Sequence, residues 1–518
     1  MYLTQNLRRA VQQQPHATAT IYNGRRRSFA QLGERVARFA GALRALGVQP
    51  GDRVGILSLN SDWYFEYYLA TYWAGGAVNP INIRWSPAEI AYSLDDCDTR
   101  ILLVDDTFAP LVPALQAQSR SLQTLIHLGD GAAPAGMLSY ETLVAQHAPA
   151  QDALRGGDDL AGVFYTGGTT GSPKGVMLCH RNLYTNAISG TTEGLAQRDS
   201  IGLHAAPMFH LADGAFMNAL LSAGACHVMV PRFDPVQVLQ AIASTGVTHV
   251  LLVPTMIQML VDHPDVHQYD LSSLQRMVYG ASPISEGLLD RAMQVLPNAG
   301  FVQAYGMTEL SPIATVLSPE MHGEVGRAKG RHRSAGRATA CTEVRIVDSE
   351  GQELPRGEVG EVAVRGPGVM LGYWNKPAET AAAIRNGWML TGDGGRMDED
   401  GYIFIVDRLK DMIVTGGENV YSVEVESVIT THPAVAACAV IGVPSEQWGE
   451  LVHAVVVRKN GHPLEESELL QFCKERMASY KSPRQVTFVD ALPLSGAGKV
   501  LKTTLRAPFW AHHDRKVA

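Results

Sequence analysis

The 518 residues include only six cysteines, Cys97, Cys179, Cys226, Cys341, Cys438 and Cys473, and no two of them form a CxxC pair. No histidine stands at metal-ligand spacing from them. Neither a zinc site nor a disulfide framework is expected, and free thiols fit a reducing compartment. A basic patch is also lacking. The 43 Lys and Arg against 51 Asp and Glu give a formal charge of −8, spread along the chain, which argues against nucleic acid as a partner. The longest weakly charged run, Ala215 to Pro231, includes Asn218 and His227. It falls short of the ~20 apolar residues that a membrane-spanning helix needs. Met1 to Pro15 lacks the apolar core of a signal peptide. These absences predict a soluble, cytoplasmic protein whose partners are small molecules, with assembly as a homodimer left open. No internal repeat is visible, and the only low-complexity stretch is the Ala/Gly/Pro-rich loop Gly129 to Gly136.

What is present is a globular composition, 46% apolar and 18% charged, in a chain long enough for more than one domain. Ser28 to Gly47 reads as an amphipathic helix. Phe29, Leu32, Val36, Phe39, Leu43 and Leu46 recur in steps of three and four, Ser28 with Gln31 makes a capping box, and Gly47 is a stop. Short apolar runs at Val54–Leu57, Ile101–Val104, Val228–Val230 and Val250–Val253 alternate with helical stretches such as Asp234–Thr245. That alternation predicts α/β layers with largely parallel sheets. After about residue 340 the texture changes to brief β runs, Thr342–Val347, Gly360–Arg365 and Gly401–Val406, separated by Gly, Pro and Asp. Beyond Arg408 helices are expected at Ser422–Thr431 and Pro463–Met477, and strands at Ala436–Ile441 and Ala454–Arg458. The expected fold class is α/β. A large N-terminal domain of layered α/β sheets with a small β-rich subdomain (residues 1–407) precedes a small α+β C-terminal domain (408–518).

The densest chemical signal is the string Tyr165-Thr-Gly-Gly-Thr-Thr-Gly-Ser-Pro-Lys174-Gly-Val176. Gly167, Gly168, Gly171 and Gly175 permit tight turns that present backbone amides. Thr166, Thr169, Thr170 and Ser172 add hydroxyls, and Lys174 adds a cation. A polyphosphate needs this combination of close donors and one positive charge. It is not a Walker A loop, since Gly175 follows Lys174 where Ser or Thr would stand.

The string resembles the TSGTTGxPKG phosphate loop of the adenylate-forming superfamily, with Gly167 in place of Ser. Further motifs follow in that family's order. Gln303-Ala-Tyr-Gly-Met-Thr-Glu309 resembles its adenylate motif, Thr391-Gly-Asp393 its TGD, Asp407-Arg408-Leu-Lys410-Asp411 its hinge, and Pro493 to Lys502 its PKTxSGKxxR tail. The resemblance implies that Tyr305 stacks on adenine, Thr308 touches the α-phosphate, and Glu309, with Thr170, holds Mg²⁺. Asp393 and Arg408 would take the ribose, Lys410 would be the pivot of a mobile C-terminal domain, and Lys499 would bridge the acid's carboxylate and the α-phosphate. Gly280, Ala281, Ser282, Ala304, Gly306 and Met307 would complete the ATP/AMP site with Thr166, Gly167, Gly168, Thr169, Thr170, Gly171 and Lys174. This chain departs from the family pattern at Ser422, where Pro is usual, at Val414, where several aryl-CoA ligases have Lys, and at Lys502, where Arg is usual.

Gly416 and Gly417 resemble the glycine pair beside the pantetheine channel, and Ser479-Tyr-Lys-Ser-Pro483 resembles the YKxP segment of CoA ligases. Coenzyme A is therefore the expected acceptor. Pro207-Met-Phe-His210 resembles the acyl-channel gate. His210, Ala212, Phe216, Tyr279 and Gly280 are expected to line the acyl pocket, and the catalytic set is Lys499, Glu309, Thr308 and His210. Mostly small and apolar, these residues suit an apolar acid. The expected activity is an AMP-forming acyl-CoA ligase using ATP and Mg²⁺, with a fatty acid as the first expectation. The alternatives are an aromatic (cinnamate- or benzoate-type) acid, an adenylation enzyme loading a carrier-protein thiol, and, most remote, a non-catalytic nucleotide-binding regulator. Asp213 lies in a region similar to the one where adenylation domains hold an α-amine, but the flanking His210-Leu-Ala pattern resembles acyl-CoA ligases better.

Overall fold

The computed structural model describes residues 1–166, 173–282, 284–408, 411–416, 418–496 and 498–511, and of Arg408 the backbone. Among these residues the chain forms four sheets. The nine-stranded sheet has at its centre the parallel strands Cys226–Met229, Ile201–His204, His249–Leu252, Arg276–Gly280 and Gly300–Gly306. The eight-stranded sheet has a parallel centre of Ala77–Pro80, Arg53–Leu57, Ile101–Asp105 and Thr124–Leu128. Several of these strands are short apolar runs that lead into helices with polar caps, at Ser61, Ser86 and Ser285 among others. The helix Phe29–Ala45 begins at Ser28, whose hydroxyl accepts from the Gln31 amide while Gln31 reaches back, as its capping box predicts. Asp234 caps Pro235–Thr245, its carboxylate accepting from the Gln237 amide at 2.9 Å.

Helix Asp62–Ala74 is buried on nearly every side and joins the two sheets. Its Phe65 ring meets His227 of the nine-stranded sheet at 4.3 Å. Its Tyr67 hydroxyl donates to the Val54 carbonyl of the eight-stranded sheet at 2.6 Å. Helix Leu211–Ala223, also mostly buried, packs in the same layer against His180–Thr192.

The third sheet is antiparallel and contains Glu343–Val347, Gly360–Arg365, Trp388–Met397 and Ile403–Arg408. The next described strand, Ile413–Thr415, belongs to the fourth sheet with Val435–Ser445, Gly449–Arg458 and Gln485–Phe488. Helices Ser422–Ile429, Glu466–Lys474 and Lys502–Trp510 accompany that sheet. Two expectations shift here. The expected strands Ala436–Ile441 and Ala454–Arg458 are parts of one long hairpin, and the helix expected from Pro463 to Met477 covers only Glu466–Lys474.

His180, His249 and His322 are at most 1% exposed. Burial pushes each imidazole down to about 4. Their unfolded values lie near ~6.5. Between these limits the unfolded chain binds protons that the folded chain refuses, so stability falls as pH falls. The slope is up to ~1.4 kcal/mol per pH unit for each histidine. Asp105 and Glu426, whose carboxyls burial holds above their ordinary range, offset part of this. Urea unfolding is therefore expected to require several kcal/mol less at pH 5 than at pH 7. Equal free energies at the two pH values would refute it.

Candidate active site

Strands Leu160–Thr166 and Lys174–Cys179 are antiparallel, with Thr166 opposite Lys174. Both ends of the phosphate-loop string are thus held side by side. Gly167, Gly168, Thr169, Thr170 and Gly171 lie outside the described residues. The Lys174 ammonium stands 4.9 Å from the centre of the Tyr373 ring, a cation–π distance. The Tyr373 hydroxyl donates to Glu309 Oε1 at 2.8 Å. Burial and the Glu309 charge push that phenol well above its ordinary range, which keeps it a donor. Tyr373 reaches this place because Gly372–Tyr373 pairs with Lys174–Cys179 at the sheet edge. One aromatic ring therefore joins the loop's cation to the carboxylate of the adenylate motif.

The neighbouring parallel strands Arg276–Gly280 and Gly300–Gly306 end beside this cluster, at the carboxyl edge where α/β sheets open a crevice. Gly280 and Ala304 are partners, and a side-chain carbon at position 280 would lie 2.1 Å from the Ala304 carbonyl oxygen. Only glycine permits that approach. Ala281 follows with φ 65°, a left-handed conformation uncommon outside glycine, and Ser282 comes next. Gly306 and Met307 lead into a single tight turn, Thr308–Leu310, which carries Thr308 and Glu309. The Tyr305 hydroxyl donates to Asp393 Oδ2 at 2.7 Å, so these two expected nucleotide residues meet. Asp393 is 5% exposed and stands opposite Arg408 in the adjoining strand.

His210 caps helix Leu211–Ala223, its Nδ1 accepting from the Ala212 amide at 3.2 Å. Burial and the nearby Lys499 charge push its imidazole down to about 4, so the ring is neutral at pH 7. Ala212 and Phe216 pack with Val278, Val302 and Ala304 on one face of the nine-stranded sheet. Strand alternation puts Gly280 on that face and Tyr279 on the other. Tyr279 packs against Phe301, and its hydroxyl meets His322 Nε2 at 2.8 Å. The structure therefore gathers Ala212, Phe216 and Gly280 but not Tyr279. Asp213 is 1% exposed, and its Oδ2 lies 2.8 Å from His204 Nδ1. One oxygen of the carboxylate that could have held a substrate amine is thus taken by a histidine, and the group is buried.

Lys499 ends a tight turn. Leu494 and Val500 bridge, and the Ser495 amide donates to the Lys499 carbonyl at 2.7 Å. Gly498, at φ +78°, makes the turn possible. The turn docks on the N-terminal part of the chain. Arg84 Nη1 donates to the Ser495 carbonyl at 2.8 Å, and Gly498 faces Val253 and Thr255. Of the remaining expected residues, Lys410, Gly417 and the Arg408 side chain lie outside the described residues. The Gly416 amide donates to the Trp448 carbonyl at 2.8 Å.

The sequence reading did not single out Tyr373 or the buried His204–Asp213–His227 chain. The cue for the first was an aromatic pair, Tyr373-Trp374, inside a Gly/Pro-rich stretch. For the second, only the unusual polarity of strands Ile201–His204 and Cys226–Met229 was available. No cluster of three or more His, Cys, Asp or Glu able to hold a metal exists among the described residues. No described helix is long and apolar enough to cross a membrane.

Residues 7–374 match the family model "AMP-binding enzyme", and residues 424–499 match "AMP-binding enzyme C-terminal domain". A feruloyl-CoA synthase of Amycolatopsis sp. is 41% identical over 502 residues, 97% of this chain and 98% of that protein. The fatty acid–[acyl-carrier-protein] ligase ScoC of Streptomyces coeruleorubidus is 37% identical over 511 residues, 98% of this chain and 96% of that protein. Among solved structures, ATP-bound MatB from Rhodopseudomonas palustris superposes with a TM-score of 0.88 at 33% identity, covering 98% of this chain and 99% of that one. The chain belongs to the AMP-binding enzyme family, in its acyl-CoA synthetase branch.

Proposed function

We propose that this AMP-forming acid–CoA ligase activates a compact, largely apolar carboxylic acid, aromatic in the first instance. The observation that carries the substrate reading is Phe216. It is fully enclosed, stands 5.7 Å from His204, and fills the layer between helix Leu211–Ala223 and the sheet. An aromatic side chain packed there takes up space that a long alkyl tail would need. The 41% identical feruloyl-CoA synthase is named for such an acid. A second reading, a fatty acid passed to CoA or to a carrier thiol, draws on the name of ScoC.

In this reading ATP lies along the carboxyl edge of the strands. Its phosphates meet the loop at Thr166–Lys174, and its adenosine meets Gly280–Ser282, Tyr305 and Asp393. Mg²⁺ fits the donor set as an ion carried by the nucleotide, held by Glu309 and phosphate oxygens, because one carboxylate alone makes an incomplete cage. When bound it supplies charge neutralisation on the phosphates. His210, being neutral, borders the acid without repelling Lys499. Lys499 draws the two anions together while the acid's carboxylate oxygen attacks the α-phosphorus and pyrophosphate leaves. Residues 408–518 then turn as a unit near Lys410, withdrawing Lys499 and bringing Gly416 and Gly417 to the CoA path. The cytoplasm, rich in ATP and CoA, is the compartment such an enzyme needs.

The test is an ATP- and CoA-dependent assay with ferulate, cinnamate, benzoate and saturated acids from octanoate to palmitate. AMP and thioester are expected in equal amounts, with kcat/KM for the best aromatic acid at least ~10-fold above palmitate, or ~1.4 kcal/mol of discrimination. Preference for palmitate would transfer the assignment to the fatty-acid reading.

A further inference from the structure

The span from His204 to His210 is held from several directions. The Asn60 side-chain amide donates to the carbonyls of His204 at 3.3 Å and Ala206 at 2.8 Å, while its oxygen accepts from the Met208 amide at 2.8 Å. The Tyr68 hydroxyl donates to the Met208 carbonyl at 3.0 Å. One further bond ties the two ends of the span together. Asp213, in the first turn of helix Leu211–Ala223, lies 2.8 Å from His204 Nδ1 at the end of strand Ile201–His204, and the two side chains are 1% and 0% exposed. His204 Nε2 then meets His227 Nδ1 at 3.0 Å, with the two rings stacked 5.2 Å apart.

Three polar side chains buried together cost several kcal/mol of desolvation, and apolar residues of like volume would pack the layer without it. Cohesion is therefore a poor account of them. Direction is a better one. A carboxylate only accepts, so the His204 Nδ1–H points at it along a fixed line. The first turn of a helix favours a negative charge, which suits the place Asp213 occupies. A dispersion contact would let the helix slide, whereas this bond fixes the helix start relative to the strand end. The residues fixed with it are His210, which caps the helix, and Ala212.

We infer that Asp213 and His204 are positioning residues for the acid, holding His210 and Ala212 at the distance from the sheet that the acid's binding requires. The inference rests on the proposed placing of the acid beside His210 and Ala212. Neither side chain touches substrate, and both act through the helix start. Their loss should therefore move the acid's KM, while ATP, held by the strand ends and the phosphate loop, binds as before.

Acid-dependent ATP–pyrophosphate exchange reads both KM values. Asp213→Leu is expected to raise the acid's KM ~10-fold or more, with the KM for ATP within ~2-fold, as a shift of about an ångström at a positioning group allows. Asp213→Asn, whose amide oxygen can still accept from His204, should stay within ~3-fold of the parent. If Asp213→Leu folds poorly, the double variant His204→Leu/Asp213→Leu replaces this bonded pair by apolar groups and should recover part of the melting temperature, His227 Nδ1 losing its His204 partner, but not the acid's KM. A folded single or double variant with the parent's acid KM overturns the inference. So does a joint rise of both KM values. His210→Ala tests the parent reading separately. If it leaves the acid's KM and the ranking of acids unchanged, the acid does not lie beside His210, whatever the Asp213 variants do.

Discussion

Replacing Lys499 by alanine is expected to lower acid-dependent ATP–pyrophosphate exchange by ~10²–10³-fold, while thioester formation from supplied acyl-adenylate and CoA keeps most of its rate. The expectation follows from what the first half-reaction must do. A carboxylate and a triphosphate repel each other, and charge builds on the α-phosphoryl oxygens as the new bond forms. A positioned ammonium answers both problems, and in a water-poor crevice its effect is far larger than in bulk solvent. Lys499 stands on a turn held by the Ser495 amide and by Arg84, and its charge is felt at His210. The second half-reaction joins a thiol to a mixed anhydride that carries a single phosphoryl charge, so no two anions have to be drawn together and the need for this cation is smaller. Stopped-flow measurement of the two halves separates them. An equal loss in both would mean that Lys499 serves docking of the turn and not adenylation.

The sequence can be read wherever a feature is confined to neighbours in the chain. The string Thr166–Lys174 gathers many donors and one cation within a dozen residues, and that composition is what proposes a phosphate loop. The same holds for helix Phe29–Ala45, whose capping box and apolar stripe lie within one stretch. Features created by pairing across the fold were not legible. Tyr373 meets Glu309 only because its short strand adds to the edge of Lys174–Cys179. His204 and His227 become partners because their strands are adjacent and parallel in the nine-stranded sheet. Tyr279 shows the converse. Its nearness in sequence to Gly280 suggested a shared pocket, but successive strand residues point to opposite faces. The hairpin of Val435–Ser445 and Gly449–Arg458 was half read: the expected strands Ala436–Ile441 and Ala454–Arg458 leave out the part of the ladder nearest the turn, where Pro444 pairs with Glu450.

Two of the departures from the family pattern meet in space, and they carry the second large expected effect. The Lys502 ammonium pairs with Glu426 Oε1 at 2.7 Å and also contacts the Ser422 hydroxyl. Ser422 donates from its hydroxyl to Asp407 Oδ2 at 2.6 Å, at the end of the third sheet. Burial pushes the Glu426 carboxyl up, and the Lys502 charge pulls it back. Lys502→Met leaves Glu426 with the Val440 amide but without its cation, and losing one member of a buried pair costs ~3–5 kcal/mol. Thermal unfolding should show that loss in the transition of residues 411–511, and Glu426→Gln added to Lys502→Met should restore most of it. The sign with pH follows from the same groups. In Lys502→Met the folded carboxyl lies above its unfolded value, so the folded state binds the extra proton. The deficit should therefore shrink as pH falls from 8 to 5. A deficit that is constant over this range, or unrelieved by Glu426→Gln, would locate the effect in lost packing of the lysine stem and leave the charge pair without a part in it.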